Sequence, residues 1–206
     1  PFSDNRCGPT AYWKFDEKTG KLTVYGEGNM YQFSEYKEST YDSFGTRPWE
    51  DILDKIKSVE IEDGIIFIGA RSFYDCENLS DVTIADSVEI IDSYAFRATE
   101  IVDSQTGDFK FVDGWLVEYR GKDTAVEIPD GTRGTGSNAF RGNTDLVSVV
   151  IPKTVRTIGH STFNSCTALE NVTIEDGVEI ICGGGNYHKN QGKTEILSKA
   201  FLTERC

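Results

Sequence analysis

Residues 146–168, LVSVVIPKTVRTIGHSTFNSCTA, and residues 169–181, LENVTIEDGVEII, set out one pattern twice at an interval of 23. The same pattern fits backward over residues 56–100. Val59 and Val82 are 23 apart, as are Val126, Val149 and Val172, and an Ile follows each by two, at Ile61, Ile84, Ile128, Ile151 and Ile174. Val-x-Ile is the period-2 signature of a short strand with one face inward, and β-branched residues suit it. Apolar positions recurring at a fixed interval of this length mean a solenoid, because one turn cannot bury its own apolar face while stacked turns bury a continuous core. The expected fold is α/β or mainly β: turns of about 23 residues with one short parallel strand each. Parallel crossovers favour a right-handed coil.

Further columns complete the turn. Seven residues past the Ile lies a second inward position, at Ile68, Ile91, Ile158 and Ile181, followed at two of them by Gly69 and Gly159, which suit a change of direction. Phe73, Phe96, Phe140 and Phe163 come next, each preceded by a small residue (Ser72, Ala95, Ala139, Thr162). Three residues after each Phe stand Cys76, Thr99, Asn143 and Cys166, side chains able to bond to nearby loop backbone. Identical columns should lie about 4.8 Å apart, so that Phe meets Phe up the core.

The chain has 206 residues, 38% of them hydrophobic, and a formal net charge of −13 from 34 acidic and 21 basic side chains. An elongated domain with a cap fits that length better than two globules. The acid surface argues against nucleic acid or an anionic membrane as partner, and no apolar run is long enough for membrane insertion. A start at Pro1 without Met or signal segment suggests a processed or trimmed product.

Five cysteines raise the question of bridges. Cys76 and Cys166 share a column three or four turns apart, roughly 14–19 Å at sheet spacing, whereas a disulfide needs Cα atoms within about 7 Å. A Cys182–Cys206 bridge closing the C-terminal insertion stays open. No Cys-x-x-Cys or His-x-x-x-His spacing points to zinc.

In chain order, residues 1–55 read as an N-terminal cap. The strands AYWKFD (11–16) and KLTVYG (21–26) flank the loop Glu17 to Gly20 as a β-hairpin, with Trp13 and Phe15 on one face of the first and Leu22 and Val24 on one face of the second. Pro48 opens a short helix, since Trp49, Ile52, Leu53 and Ile56 fall at helical spacing. Residues 56–206 read as the solenoid, interrupted twice. An inserted hairpin falls within 101–123, with strands in 109–119 around Asp113-Gly114, and the turn after it is weak because Thr135 stands where others carry Ile. The Gly-rich stretch 183–195 reads as a mobile inserted loop, after which Ile196, Ala200 and Phe201 resume the coil. No polar closing element follows Phe201, so either the native chain continues or another surface covers that end.

These columns, with Leu79, Leu146 and Leu169 completing them, resemble the BspA-type leucine-rich repeat family, and Cys7-Gly8, Trp13, Gly20 to Gly28, Met30 and Trp49 resemble the region that often precedes such repeats. Departures are Thr135, Asp92 where Gly is usual, and the insertion after Cys182. The resemblance implies a right-handed leucine-rich-repeat solenoid in a bacterial or protozoal protein, secreted or at the cell surface, adhering to host proteins, matrix or other cells. It implies no shared catalytic residues.

An enzyme would need a constellation that is hard to find. His160 occupies a turn column and His188 lies in the insertion; neither has a nucleophile with base and orienting carboxylate at hand. The pairs Asp16-Glu17, Glu62-Asp63 and Glu175-Asp176 read as solvated turn positions. The chain is therefore expected to be no enzyme, with no catalytic residue, cofactor or metal. Outward strand positions Glu60, Thr83, Glu127, Val150 and Thr173 form a strip without aromatics, unlike an interaction hot spot. Aromatics gather instead at Tyr31, Phe33, Tyr36, Tyr41 and Phe44, and at Trp115 and Tyr119 in the hairpin. Candidate binding residues are Trp115, Tyr119, Tyr187 and His188, carried by loops that can vary on a rigid coil. The expected function is protein–protein interaction, most simply adhesion to a host-matrix or cell-surface protein, at an extracellular or cell-surface location. The alternatives are a carbohydrate-binding module and a structural spacer of a larger surface protein.

Overall fold

The computed structural model describes residues 5–33 and 45–183, together with strand backbone at 186–189 and 195–196. The chain divides into two compact units, one running through Thr106 and one from Gly107.

In the first unit, β1 (Ala11–Asp16) and β2 (Lys21–Gly26) form the hairpin, followed by the short β3 (Gly28–Asn29). After a 3-10 helix at Glu50–Lys55 come β4 (Ser58–Ile61), β5 (Ile65–Ile68), β6 (Asp81–Ile84), β7 (Ile90–Ile91) and the single-turn helix α1 (Glu100–Asp103). Two sheets result, ordered β1-β2-β4-β6 and β3-β5-β7. Val59 pairs with Val82 and Ile61 with Ile84 in parallel register, while Ile68 pairs with Ile91 on the other sheet. Each turn therefore contributes two strands rather than one. The second inward column is a strand because its Ile is flanked by residues that bridge to the next turn.

The second unit repeats this plan. Its strands are β8 (Phe109–Val112), β9 (Trp115–Tyr119), β10 (Ala125–Glu127), β11 (Gly134–Thr135), β12 (Ser148–Ile151), β13 (Thr157–Ile158), β14 (Asn171–Ile174), β15 (Ile180–Gly183), β16 (Asn186–Lys189) and β17 (Glu195–Ile196). They form sheets ordered β10-β12-β14-β17 and β16-β15-β13-β11-β9-β8. Val126, Val149 and Val172 align across the first; Leu116, Thr135, Ile158 and Ile181 align across the second.

The ring column is the spine of each core. Trp49, Phe73 and Phe96 stack at 5.6 and 5.3 Å in the first unit, and Tyr119, Phe140 and Phe163 at 4.9 and 5.3 Å in the second. All six are buried. Offset stacks at this separation add to the area the rings bury. The small residues before each Phe close the backbone: Ser72 Oγ donates to the Gly69 carbonyl and Thr162 Oγ1 to the Gly159 carbonyl, both at 2.7 Å. Three residues after the ring, Thr99 Oγ1 donates to the Phe96 carbonyl (2.7 Å), the Cys166 thiol to the Phe140 carbonyl (3.0 Å) and Asn143 Nδ2 to the Gly121 carbonyl (2.9 Å). Gly159 has an ordinary negative φ; it is needed because a Cβ there would lie 2.6 Å from backbone atoms of Gly136 and Ser137.

Several elements differ from expectation. The segment after Pro48 is a 3-10 helix with a non-helical Ile52, because burying the Trp49 ring in the column and Ile56 below it outweighs a regular α-turn. The hairpin at 109–119 is part of the coil: β9 pairs parallel with β11, so Leu116 takes an Ile place and Tyr119 a Phe place. The stretch after Cys182 is not simply a loop, since β16 returns antiparallel on β15. Ile196 does not resume the parallel coil either, because β17 pairs antiparallel with β14. Ala200, Phe201, Tyr36, Tyr41 and Phe44 lie outside the described residues.

Candidate recognition surface

The hairpin changes what the strand face of the first unit presents. Its second strand joins β4 in parallel, with Lys21 beside Ser58 and Thr23 beside Glu60, and β1 lies antiparallel outside it. Alternation then sorts the side chains. Leu22 and Val24, opposite Phe15 and Trp13, go inward, where Trp13 meets Trp49 edge-on at 5.7 Å. Tyr12, Lys14, Tyr25, Lys21, Glu60 and Thr83 go to the other face.

On that face Tyr12 and Tyr25 stack at 5.8 Å, and the Lys14 ammonium sits 5.2 Å from the centre of the Tyr25 ring. Lys14 Nζ also lies 3.5 Å from Glu62, and Lys21 Nζ lies 2.7 Å from Glu60. The hydrogen bond to Glu60 is the main cause that raises the Lys21 pKa above the ordinary lysine value. The strip expected to lack aromatics thus gains two tyrosines and two lysines, all on a sheet backed by core. At one end Asp16 accepts hydrogen bonds from the Lys18 N–H and the Thr19 hydroxyl, both 2.9 Å, and the first of these chiefly lowers its pKa. Glu175 likewise accepts from the Lys153 N–H at 3.1 Å, so these acids brace turns as well as facing solvent.

The structure places the four sequence candidates differently. Trp115 is 2% exposed and Tyr119 7% exposed. The Trp115 ring lies over Gly134, where a Cβ would come within 2.5 Å of it, and its Nε1 has no hydrogen-bond partner. Tyr119 is clasped by Phe109 and Phe140, each 4.9 Å away, and its hydroxyl donates to Asp123 at 3.3 Å; burial, with Asp123 second, raises its pKa. Both rings therefore pack into the second unit rather than facing solvent. Tyr187 and His188 stand on β16, the outer strand of its sheet, opposite Cys182 and Ile181. In that sheet β15, β13 and β11 lie between β16 and the β9 strand of Trp115 and Tyr119.

Tyr12, Lys14, Tyr25 and Lys21 are not among the sequence candidates because a capping hairpin shows no presented face in sequence, although Tyr12 and Tyr25 alternate with the apolar residues of their strands and so mark the opposite face. His160 is half-buried, its N–H donating to Ser137 Oγ at 3.2 Å. Cys7, Cys76, Cys166 and Cys182 are buried, and burial pushes the Cys7 and Cys76 thiols up to about 12. The other half of the suggested bridge, Cys206, lies outside the described residues. Among the described residues no three His, Cys, Asp or Glu converge on a metal-sized site, and no helix is long and apolar enough to cross a membrane.

Stacked rungs that each carry one inward strand face and one presented face make a repeat scaffold of the kind that binds other macromolecules. Its repeats belong to the BspA type leucine-rich repeat region family, whose model matches residues 49–108 and 119–200 in six copies. That membership makes the chain a protein-interaction repeat protein. The interval the model leaves out is filled by the hairpin of β8 and β9. Similar solved structures include a leucine-rich repeat protein from Eubacterium ventriosum (18% identity over 84% of this chain and 72% of that one, TM-score 0.41). The pneumococcal vaccine antigen PcpA is similar at 18% identity over 74% and 44% (TM-score 0.35), and the T. pallidum leucine-rich repeat protein at 18% over 76% and 86% (TM-score 0.32). No curated protein matches.

Proposed function

We propose that the chain is an adhesive recognition module, exposed outside the cell, that binds a protein partner through the outer face of the β1-β2-β4-β6 sheet. The observation that carries this is the stacked Tyr12–Tyr25 pair with Lys14 over it, on a sheet whose other face is anchored in the core. Tyrosines on a rigid strand give contact area at small entropic cost, and flanking Lys21 and Glu60 supply polar contacts. Membership of a repeat family built for protein interaction supports binding as its work. Tyr187 and His188 enter as a separate proposed contact, resting on the outer position of β16.

The test is capture on immobilised fibronectin, laminin, collagen and fibrinogen beside a glycan array. The reading expects saturable binding to one of these proteins that falls at least about tenfold in Tyr12→Ala/Tyr25→Ala, the loss of about 1.4 kcal/mol. Equal capture by the double variant removes the face as the site. Glycan binding without protein binding moves the chain to the carbohydrate reading.

A further inference from the structure

Away from the strand face, the first unit carries a second cluster in the turns that follow β5 and β7. Arg71 and Tyr94 hold the same place in successive turns, 23 residues apart, and Tyr74 and Arg97 do so three residues further on. Guanidinium and phenol therefore alternate both along and across the turns. Backbone bonds fix the register: the Arg71 N–H donates to the Ser93 carbonyl (3.0 Å), Phe73 to Ala95 (2.8 Å) and Asp75 to Arg97 (3.1 Å). The Arg71 guanidinium lies 5.5 Å from the Tyr74 ring centre and 6.0 Å from that of Tyr94, and the Arg97 guanidinium lies 5.2 Å from Tyr94. Tyr94 is thus flanked by two cations. Arg71, Tyr74 and Tyr94 are half-buried and Arg97 is exposed.

The fold does not demand this cluster. In the second unit the same places carry Asn138 and Ser161, with Arg141 and Asn164, and the turns form the same bonds, Asn138 N–H to the His160 carbonyl at 2.9 Å and Phe140 to Thr162 at 2.9 Å. One turn earlier Arg47 serves the scaffold: it pairs with Glu50 at 2.8 Å and donates to the carbonyls of Arg71 and Tyr74. Two further guanidiniums held around one ring, in a chain of net charge −13, make a local cationic site on an acid molecule. Of the acids near it in sequence, Asp92 Oδ1 accepts from the N–H and hydroxyl of Ser93 at 2.7 and 3.2 Å, and Asp75, Glu77 and Glu100 are exposed.

Resting on the reading of the chain as a protein-binding module, we infer that Arg71, Tyr74, Tyr94 and Arg97 bind an acidic segment of the partner protein. The exposed Arg97 guanidinium takes a carboxylate in a bidentate pair, Arg71 adds its charge across the Tyr94 ring, and the rings offer apolar contact to the segment's backbone and side-chain stems. An acidic polypeptide fits better than an acid glycan because Arg and Tyr together are the residues that dominate protein interfaces.

The full chain is titrated with a labelled oligoglutamate peptide and, separately, with polygalacturonate, at low and moderate salt. The expected result is salt-sensitive oligoglutamate binding that weakens at least about tenfold in Arg97→Gln, the scale of one lost charged hydrogen bond. Arg141→Gln, the equivalent place in the second unit, leaves it unchanged. No oligoglutamate binding, or equal binding by Arg97→Gln with an unaltered melting temperature, overturns the inference. Tighter binding of polygalacturonate than of the peptide overturns it in favour of acidic glycans. Because Tyr12→Ala/Tyr25→Ala leaves this cluster whole, oligoglutamate binding by that variant separates failure of the strand face from failure of the cluster.

Discussion

Removing the ring of Phe140 is the sharpest stability test of the stacked core. Phe140 is 1% exposed and sits between Tyr119 at 4.9 Å and Phe163 at 5.3 Å. Burial of a side chain this size is worth about 1.5–3 kcal/mol, and each ring pair adds about 0.5–1.5 kcal/mol. The neighbours are held by their own backbone bonds and cannot collapse onto the gap, so Phe140→Ala should cost about 3–5 kcal/mol. Urea unfolding reads this as a midpoint lower by on the order of 2 M. Hydrogen exchange localises it, with faster exchange of the β12 and β14 amides. Phe140→Leu, which refills most of the volume, should recover about half the loss. A cost below about 1 kcal/mol for Phe140→Ala would mean that the column does not carry the core, and the reasoning would fail.

Gly159→Ala should destabilise by about 1–3 kcal/mol in the same assay, since the new methyl must push backbone atoms of Gly136 and Ser137 now 2.6 Å from its position; a neutral result would show that adjacent turns have slack. Cys7 and Cys76 have thiol pKa values raised from 9.0 to about 12. The folded chain therefore keeps protons that the unfolded chain releases, so their stabilising effect is whole below pH 9.0 and is lost as pH climbs toward about 12. Denaturation midpoints should fall through that alkaline range and fall less in Cys76→Ala; a flat profile contradicts it. At neutral pH both thiols should resist a thiol reagent until urea unfolds the chain, and rapid labelling of the native protein would count against their burial.

Much of the fold is written in the sequence because strict columns are what a stacked coil requires: the Val-x-Ile pairs, the Phe ladder and the small residue before each Phe all sit where spacing puts them. The hairpin strands 11–16 and 21–26 are equally legible from alternation and a polar loop. What was hidden is substitution within a column. Tyr119 stands 23 residues after Phe96 and fills a Phe place, but the hairpin turn at Asp113-Gly114 masks the repeat that contains it. Trp49 likewise serves as the first ring of the ladder, a role helical spacing conceals. The two strands per turn escaped notice because β7, β11 and β13 are only two residues long, too short for periodicity to show. The proposed recognition face stayed invisible for a topological reason: only pairing of β2 with β4 puts Tyr12 and Tyr25 on one sheet face with Glu60.

Ring-to-ring nuclear Overhauser contacts test the columns most directly. The account predicts contacts from Trp49 to Phe73 and on to Phe96, and from Tyr119 to Phe140 and on to Phe163. A Tyr119 ring that shows no contact with Phe140 and titrates as a solvent-exposed phenol would contradict it.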